Sequence, residues 1–229
     1  MTTTIRIRPR HAATLVLLRR TVNGMTVLMG ERHAAHAFMP HALVFPGGAV
    51  DACDTRLACP IPLDPISEEK LLITPRGAKP QALALAAIRE TFEETGLRLG
   101  AADAGRMNTR SPIWQKFIEG QYTPAIDQLI FAARAITPPG LPRRYDTRFF
   151  AASAEALSSD PDDLSRASGE LLNLRWIDVD EVLSSTAPAV TQRGLSHALA
   201  HFKAHIGGYN RPPVPFVRGT TQRRIHETI

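Results

Sequence analysis

The chain has 229 residues, of which 44% are hydrophobic, and a formal net charge of +5. That length suits one domain, or one domain with a terminal extension, and the hydrophobic content is too high for a disordered protein. No apolar run approaches the roughly 18 residues that span a bilayer, so no membrane partner is expected. The basic residues are scattered and not interleaved with aromatics, which favours a small anionic partner over nucleic acid.

The first thirty residues contain several arginines and no acid. An organelle transit peptide has the same composition, but the apolar run Ala12–Leu18 leads directly to a second one at Met25–Met29. Asn23-Gly24 lies between them and is typical of a tight hairpin turn, so we predict two paired strands. A third short strand is predicted at Ala42–Phe45, ended by Pro46-Gly47-Gly48.

The segment 49–80 contains five prolines, and no hydrophobic period persists in it. We therefore predict an irregular surface loop, with a helical turn near Ser67–Leu72, and expect that Cys53–Pro75 could be shortened without loss of the fold. Cys53 and Cys59 form no zinc pattern. Two free thiols in a reducing cytosol are favoured over a disulfide, so a cytoplasmic location is expected.

Beyond residue 80, helices and strands alternate. Gln81–Thr95 is the best predicted helix, and Gly96 should end it. The other predicted elements are strands at Leu129–Ile136, Thr147–Ala151 and Leu171–Ile177, a short helix capped by Asp178, a helix at Val190–Ile206, and an extended tail over residues 207–229. This mixture predicts an α/β or α+β fold in one domain over residues 1–229.

The helix Gln81–Thr95 has two chemically different faces. Three carboxylates, those of Glu90, Glu93 and Glu94, fall within about 50° of one direction at 100° per residue, opposite an apolar face. Like charges so placed disfavour the bare helix, and a hard divalent cation such as Mg²⁺ or Mn²⁺ would remove that cost. Arg89 precedes Glu93 by four residues and can form an ion pair with it. A solvated acidic face is the alternative.

The sequence around this helix resembles the signature of a known family. Arg89–Leu97 reads Arg-Glu-Thr-Phe-Glu-Glu-Thr-Gly-Leu, which resembles the end of the Nudix box, R-E-U-x-E-E-x-G-U with U apolar. Phe45–Gly48, Phe-Pro-Gly-Gly, resembles its start. The resemblance implies an α/β/α sandwich around a mixed sheet and metal-dependent hydrolysis of nucleoside diphosphates linked to another moiety. It also implies a metal site at Glu90, Glu93 and Glu94, with one of them serving as the base.

Two departures from the usual spacing, G-x5-E-x7-R, stand out. Between Gly48 and Gln81 lie 32 residues instead of five, and Gln81 stands eight before Arg89 where the box has Glu. A surface insertion is tolerable because the cost of loop closure rises only with the logarithm of length. Gln81 can form a hydrogen bond but carries no charge.

Further segments resemble the Nudix subgroup related to the peroxisomal coenzyme A diphosphatase called nucleoside diphosphate-linked moiety X motif 19. They are Phe38–Pro40, Val44–Asp51, the long insertion and Arg143–Phe150. The resemblance implies coenzyme A or an acyl-CoA as one candidate substrate, and a homodimer as one candidate assembly. Its alternatives are an ADP-ribose or NADH diphosphatase, and a non-catalytic Nudix-like module that binds nucleotide or RNA.

Several residues outside the helix are candidate site residues, and for most of them an ordinary structural role is the alternative. Glu170 follows the box and could supply an extra metal ligand, or be a solvated turn residue. Asp51 could face the metal or cap a turn. The predicted substrate-binding residues are Gly47, Gly48, Arg143, Arg144 and Arg148; arginines suit phosphate because their donors are fork-shaped. His33, His36 and His41 lack the spacing of a helical zinc pair and are interpreted as loop histidines.

Overall fold

A mixed β-sheet organises this computed structural model, which describes residues 7–33, 41–73, 77–220 and 222–229. Within those residues nine strands form one sheet in the order β11-β10-β7-β8-β1-β2-β3, with β4 also paired to β1 and β9 to β2. The strands are β1 Arg10–Thr21, β2 Gly24–Arg32, β3 Leu43–Val44, β4 Gly47–Ala49, β7 Ile130–Ile136, β8 Tyr145–Ser153, β9 Leu171–Asp178, β10 Pro215–Gly219 and β11 Arg224–Thr228. Two further strands, β5 Gly100–Ala102 and β6 Tyr122–Pro124, form a separate ribbon.

The sheet is mixed because two of its pairs are parallel. Strand β1 runs parallel to β8, and β10 runs parallel to β7, whereas the other pairs are antiparallel. The predicted hairpin is confirmed: Thr21 pairs with Gly24 across the turn between β1 and β2. Strand β1 is central and buried on both faces, as its unbroken run of apolar residues indicates.

Helices cover both faces of the sheet. They are α1 Ala52–Arg56, α2 Pro65–Leu72, α3 Pro80–Thr95, α4 Pro112–Ile118, α5 Val179–Ser184 and α6 Ala189–Ile206. Leu15 and Leu17 of β1 pack into the apolar cluster that contains α3, whereas Val16 and Leu18 pack into the cluster that contains α6. Alternate residues of one strand thus face opposite layers, which confirms the predicted α/β/α arrangement.

The prediction of an irregular surface loop over 49–80 is wrong in its main point. This segment contributes α1 and α2, and Leu57, Leu63 and Leu71 are buried in the cluster of α3. Ser67 ties α2 to the sheet, because its hydroxyl accepts a hydrogen bond from the N–H of Phe131 at 2.9 Å. The prolines suggest an irregular loop, but Pro65 occupies the first turn of α2, where a proline is compatible with a helix. Only the helical turn near Ser67–Leu72 was predicted.

Two other predictions need correction. The glycines after Pro46 do not simply end a strand, because Gly47–Ala49 forms β4 against β1. The tail over 207–229 is extended but not free, since β10 pairs with β7 and β11 pairs with β10. Each carries too few alternating apolar residues to be recognised without its partner strand. The helical C-terminal region is confirmed by α6, and Asp178 caps α5 by accepting from the N–H groups of Asp180 and Glu181.

Both cysteines are free, as predicted. Among the described residues no helix is long and apolar enough to cross a membrane. Phe38–Pro40 and His36, which entered the sequence predictions, lie outside the described residues, as does Pro75 at the end of the segment predicted to be dispensable.

The buried side of α2 should contribute directly to stability. Leu71 has 6% of its surface exposed and its neighbour Leu72 has 63%. We expect Leu71→Ala to lower the free energy of unfolding by about 2–5 kcal/mol, because it leaves a cavity in the core. Leu72→Ala, the matched control, should change it by no more than about 0.5 kcal/mol. Urea denaturation measures both, and equal small effects would restore the prediction of a dispensable loop.

Candidate active site

Helix α3 and strand β4 bring the predicted glutamates together with the two glycines. Pro80 begins the helix, and Gly96, with a φ of 79°, ends it in the left-handed conformation, its N–H donating to the carbonyl of Phe92. The apolar face of α3 is buried as predicted, and Glu94 is buried too, with 8% of its surface exposed. The carboxylate face of α3 is therefore turned toward β4, not toward bulk solvent.

The glycines of β4 allow the glutamates to approach the backbone closely. The N–H of Gly47 donates to Oε2 of Glu94 at 2.9 Å. A Cβ on Gly47 would lie 2.6 Å from the carbonyl oxygen of Ala13, and a Cβ on Gly48 would overlap the carboxylate of Glu90. Gly47 requires glycine because a side chain would meet backbone atoms, whereas a side chain at Gly48 would displace the carboxylate of Glu90. Contact of Gly47 and Gly48 with a substrate remains a prediction.

Arg89 connects α3 to α1 and β4, and it also contacts two of the glutamates. Its Nη1 lies 2.6 Å from Oε2 of Glu93 and 2.9 Å from Oε1 of Glu90, which confirms the ion pair predicted between Arg89 and Glu93. Its Nη2 donates to the carbonyl of Ala49 in β4 at 2.9 Å. Burial alone would lower the pKa of Arg89, but the hydrogen bond with Asp54 and the charges of Glu90, Asp54 and Glu93 raise it. Arg89 therefore stays charged and holds Glu93.

Asp54 of α1 is the acid that the sequence analysis missed. It accepts two hydrogen bonds from Arg89, with Nε to Oδ1 at 2.8 Å and Nη2 to Oδ2 at 3.0 Å, and is itself 1% exposed. Asp54 stands six residues after Gly48, so five residues separate them as in the usual box. The insertion therefore follows this acid, and 34 residues instead of seven separate it from Arg89. The spacing could have revealed it had Asp been accepted in place of Glu.

Gln81 does not replace the acid of the box. Its side-chain Nε2 donates to the carbonyl of Cys59 at 3.0 Å, far along α3 from Arg89. Gln81 therefore does not correspond to the Glu of the box. Counting eight residues back from Arg89 does not reach that acid, because the insertion separates it from Arg89.

A tryptophan completes the support of this ion pair. Trp114 of α4 is fully buried, and its Nε1 donates to Oδ1 of Asp54 at 3.3 Å. Asp51 caps α1, where its side chain accepts from the N–H of Ala52 while Asp54 accepts from the N–H of Asp51. Capping, not a position facing the metal, is therefore the role of Asp51.

Of the three glutamates, Glu94 is buried and Glu90 is half-buried, with 17% of its side chain exposed. Burial raises the pKa of Glu90 to about 7, although the charge of Arg89 opposes the shift. Burial also raises the pKa of Glu94 to about 8, the hydrogen bond from Gly47 opposing and the charges of Glu90 and Glu170 adding. Burial thus disfavours the charged form of both carboxylates, an effect that a bound cation would offset.

The donor set suits a hard divalent cation, but the chain alone does not form a closed site. Among the described residues, no three His, Cys, Asp or Glu side chains are grouped as a cation site. Glu93 is turned to Arg89, and Glu94 is turned to Gly47. Carboxylates that lie on one helix face and lack counter-charge are ligands that Mg²⁺ and Mn²⁺ prefer. Glu170 is exposed, and its charge acts on Glu94, so its role as an extra ligand stays a prediction.

The predicted substrate arginines are not gathered with the glutamates. Arg148 is 2% exposed, and its Nη1 donates to the carbonyl of Asp146 and lies 3.1 Å from Nδ1 of His11. Arg144 binds the carbonyls of Thr137 and Ile7, near the start of β8. Arg143 is exposed next to it. The alternation of β8 turns the side chain of Arg148 into the protein, and substrate binding by Arg148 stays a prediction.

The comparisons with known proteins agree with this geometry. The chain is 28% identical over 183 residues to a Caenorhabditis elegans protein named "Putative nudix hydrolase 7", covering 75% of this chain and 52% of that protein. It is 26% identical to the solved structure of a Nudix hydrolase from Alicyclobacillus acidocaldarius, with a TM-score of 0.66, covering 90% of this chain and 99% of the other. No family model matches.

In both sequence and fold the chain is therefore similar to Nudix hydrolases. It spans about half the length of the curated Nudix relative that it matches. Within the Nudix box, the structure assigns the acid after the glycines to Asp54, a shorter side chain than the usual Glu. The helix α1, which begins directly after β4, brings this shorter carboxylate within reach of Arg89.

The buried ion pair of the Nudix box should dominate the stability of this region. We expect Asp54→Asn to lower the free energy of unfolding by about 3–5 kcal/mol, because removing one partner leaves Arg89 as a buried, undercompensated charge. Asp162→Asn is the matched control, since Asp162 forms a similar two-bond pair with Arg19 at the surface, and it should change stability little. Denaturation in EDTA measures both, and equal effects would show that Arg89 finds enough partners without Asp54.

Proposed function

We propose that the chain is a metal-dependent hydrolase that cleaves a diphosphate bond in a nucleoside diphosphate linked to another moiety. The observation that carries this proposal is the pair of carboxylates of Glu90 and Glu94, which lie against the glycines of β4 and whose pKa values burial raises. A fold that buries two anions side by side is destabilised unless a cation compensates them. If this helix face were only a solvated acidic surface, the carboxylates of Glu90 and Glu94 would be exposed to solvent.

We assign Glu90, Glu93 and Glu94 as the residues that would hold Mg²⁺ or Mn²⁺, with Glu170 as a further ligand. The bound cation would neutralise the diphosphate oxygens and lower the pKa of a water. The chain itself supplies the geometry, because Arg89 fixes Glu93 and the N–H of Gly47 fixes Glu94.

The reaction we propose is attack of water on one phosphorus. The water oxygen forms a bond to phosphorus, the bond from phosphorus to the bridging oxygen breaks, and two phosphorylated products leave. Glu93 or Glu90 takes the proton of the water, since each carries a carboxylate on the same face of α3. Arg89 contributes by positioning Glu93, because its own donors are already engaged with Asp54 and Ala49.

For the substrate we propose coenzyme A or an acyl-CoA, which would give phosphopantetheine, or its acylated form, and adenosine 3′,5′-bisphosphate. The support is the resemblance of Val44–Asp51 and Arg143–Phe150 to the coenzyme A diphosphatase subgroup. ADP-ribose and NADH are the alternatives within the same chemistry. A small-molecule diphosphate is favoured over nucleic acid because the basic residues form no continuous aromatic-lined patch in the sequence.

A substrate panel tests activity and metal dependence together. We expect turnover of coenzyme A, with both products identified by mass, in Mg²⁺ or Mn²⁺ and its loss in excess EDTA. The reason is that carboxylates cannot approach a dianion without a cation. Faster turnover of ADP-ribose or NADH would identify that compound, instead of coenzyme A, as the substrate. Turnover that persists in EDTA would exclude the metal mechanism.

A substitution on the buried carboxylate separates an enzyme from a binding module. We expect Glu94→Gln to lower kcat by about two orders of magnitude or more, the scale of losing one electrostatic or proton-transfer element. Its stability in EDTA should hold or rise, because the neutral amide has no buried charge to compensate. Glu181→Gln on the exposed face of α5 is the control and should alter neither.

Glu93→Gln should lower kcat similarly but also lose the ion pair with Arg89, so its stability should not rise. A parent protein that binds nucleotide without turning over any substrate of the panel would instead identify the non-catalytic module. Full activity of both variants at saturating metal would contradict the assignment of the glutamates.

A further inference from the structure

An open cavity with three basic side chains in its lining begins just after β4, at Val50. It has a volume of about 420 Å³ and opens between the start of β1, the helix α1 and the start of α3. The described residues that line it are Pro9, Arg10, His11, Val50, Asp51, Ala52, Thr55, Ala78 and Lys79. Glu90, Glu93 and Glu94 are not among them, so this cavity is not the proposed diphosphate site.

His11 offers a hydrogen-bond donor to this cavity. Its Nδ1 lies 3.1 Å from Nη1 of Arg148, and since a guanidinium only donates, Nδ1 must accept. Oδ2 of Asp146 is farther from Nδ1, at 3.6 Å. The proton of the neutral ring is therefore on Nε2. Burial and the charge of Arg148 lower the pKa of His11, which keeps the ring neutral. His11 lines the cavity, and because Nδ1 is engaged by Arg148, Nε2–H is the ring nitrogen left for a ligand.

Behind His11 lies an excess of buried positive charge. Arg134 and Arg148, 7% and 2% exposed, share the single carboxylate of Asp146. Nη1 of Arg134 is buried and has no hydrogen-bond partner among the described residues. Glu227 is the next carboxylate to act on Arg134, but its oxygens bind Arg218. A buried cation without full compensation is costly, and a nearby anion offsets part of that cost.

The wall of the cavity adds further groups that favour an anion. Arg10 and Lys79 are exposed cations in its lining. The positive end of the α3 dipole also lies here, since Lys79 is the N-cap residue of that helix. Asp51 carries the opposite charge, but its carboxylate is engaged by the N-terminus of α1.

We propose that this cavity is a second anion site, which binds a phosphoryl group through the Nε2–H of His11, Arg10 and Lys79. The buried pair of arginines supplies a favourable potential behind the histidine. The shared chemistry of the ligand is a tetrahedral dianion, carried either by free phosphate or by a phosphate monoester such as a nucleoside monophosphate. The proposal is independent of the diphosphatase activity, because its site shares no residue with the glutamates.

Calorimetric titration of the full chain with inorganic phosphate, in EDTA at constant ionic strength with chloride as the balancing anion, tests the site. We expect saturable binding that Glu94→Gln leaves unchanged. Because a hydrogen bond to a charged group contributes about 1.5–3 kcal/mol, His11→Leu should weaken the affinity by about tenfold or more. Lys79→Ala should weaken it several-fold, and Lys203→Ala, on α6, should not. If His11→Leu does not fold, Lys79→Ala and Arg10→Ala carry the test.

A parallel titration with AMP distinguishes the two sources of the phosphoryl group. Binding of AMP that depends on His11 and Lys79 would identify a nucleotide monoester, and binding of inorganic phosphate alone would identify the free anion. NMR of the imidazole nitrogens should show the proton of His11 on Nε2. Absence of saturable phosphate binding, or equal binding by the parent, His11→Leu and Lys79→Ala, would overturn the proposal.

Discussion

The buried ion pair between Asp54 and Arg89 is the interaction on which the rest of the candidate site depends. It joins α1, which follows the glycines of β4, to the middle of α3. Because Arg89 also binds the carbonyl of Ala49, the same side chain fixes the distance between the helix and the strand. The remaining donor of Arg89 then orients Glu93. The guanidinium of Arg89 therefore holds β4, α1 and α3 together, because its planar group carries several hydrogen-bond donors.

The glycines and the glutamates form the second half of this unit. Gly48 leaves the space that the carboxylate of Glu90 occupies, and Gly47 presents its N–H to Glu94. The resulting burial raises the pKa of both glutamates, so the site is built under electrostatic stress that a divalent cation would relieve.

The insertion between Asp54 and α3 contributes residues to the hydrophobic core. It follows Asp54, and its residues Leu57, Leu63 and Leu71 are buried in the cluster that contains α3. Arg211, between α6 and β10, binds Asp64 at the start of α2, so the C-terminal region also holds the insertion in place. The insertion therefore connects the helix that bears the glutamates to distant parts of the chain.

The sequence by itself determined the carboxylate helix, its end at Gly96, the first hairpin, the α6 helix and the α/β class. These depend on local periodicity, turn chemistry and helix capping, which short stretches of sequence contain. It also determined Glu90, Glu93, Glu94 and Arg89 as one group, because i,i+3 and i,i+4 spacing fixes a shared helix face. Only the tertiary structure decided that Asp54 is the partner of Arg89, that Arg148 is buried beside His11, and that the C-terminal residues join the sheet. Those outcomes depend on contacts between residues far apart in the chain. The spacing after Gly48 could mark Asp54 as a candidate, but its contact with Arg89 forms only in the folded chain.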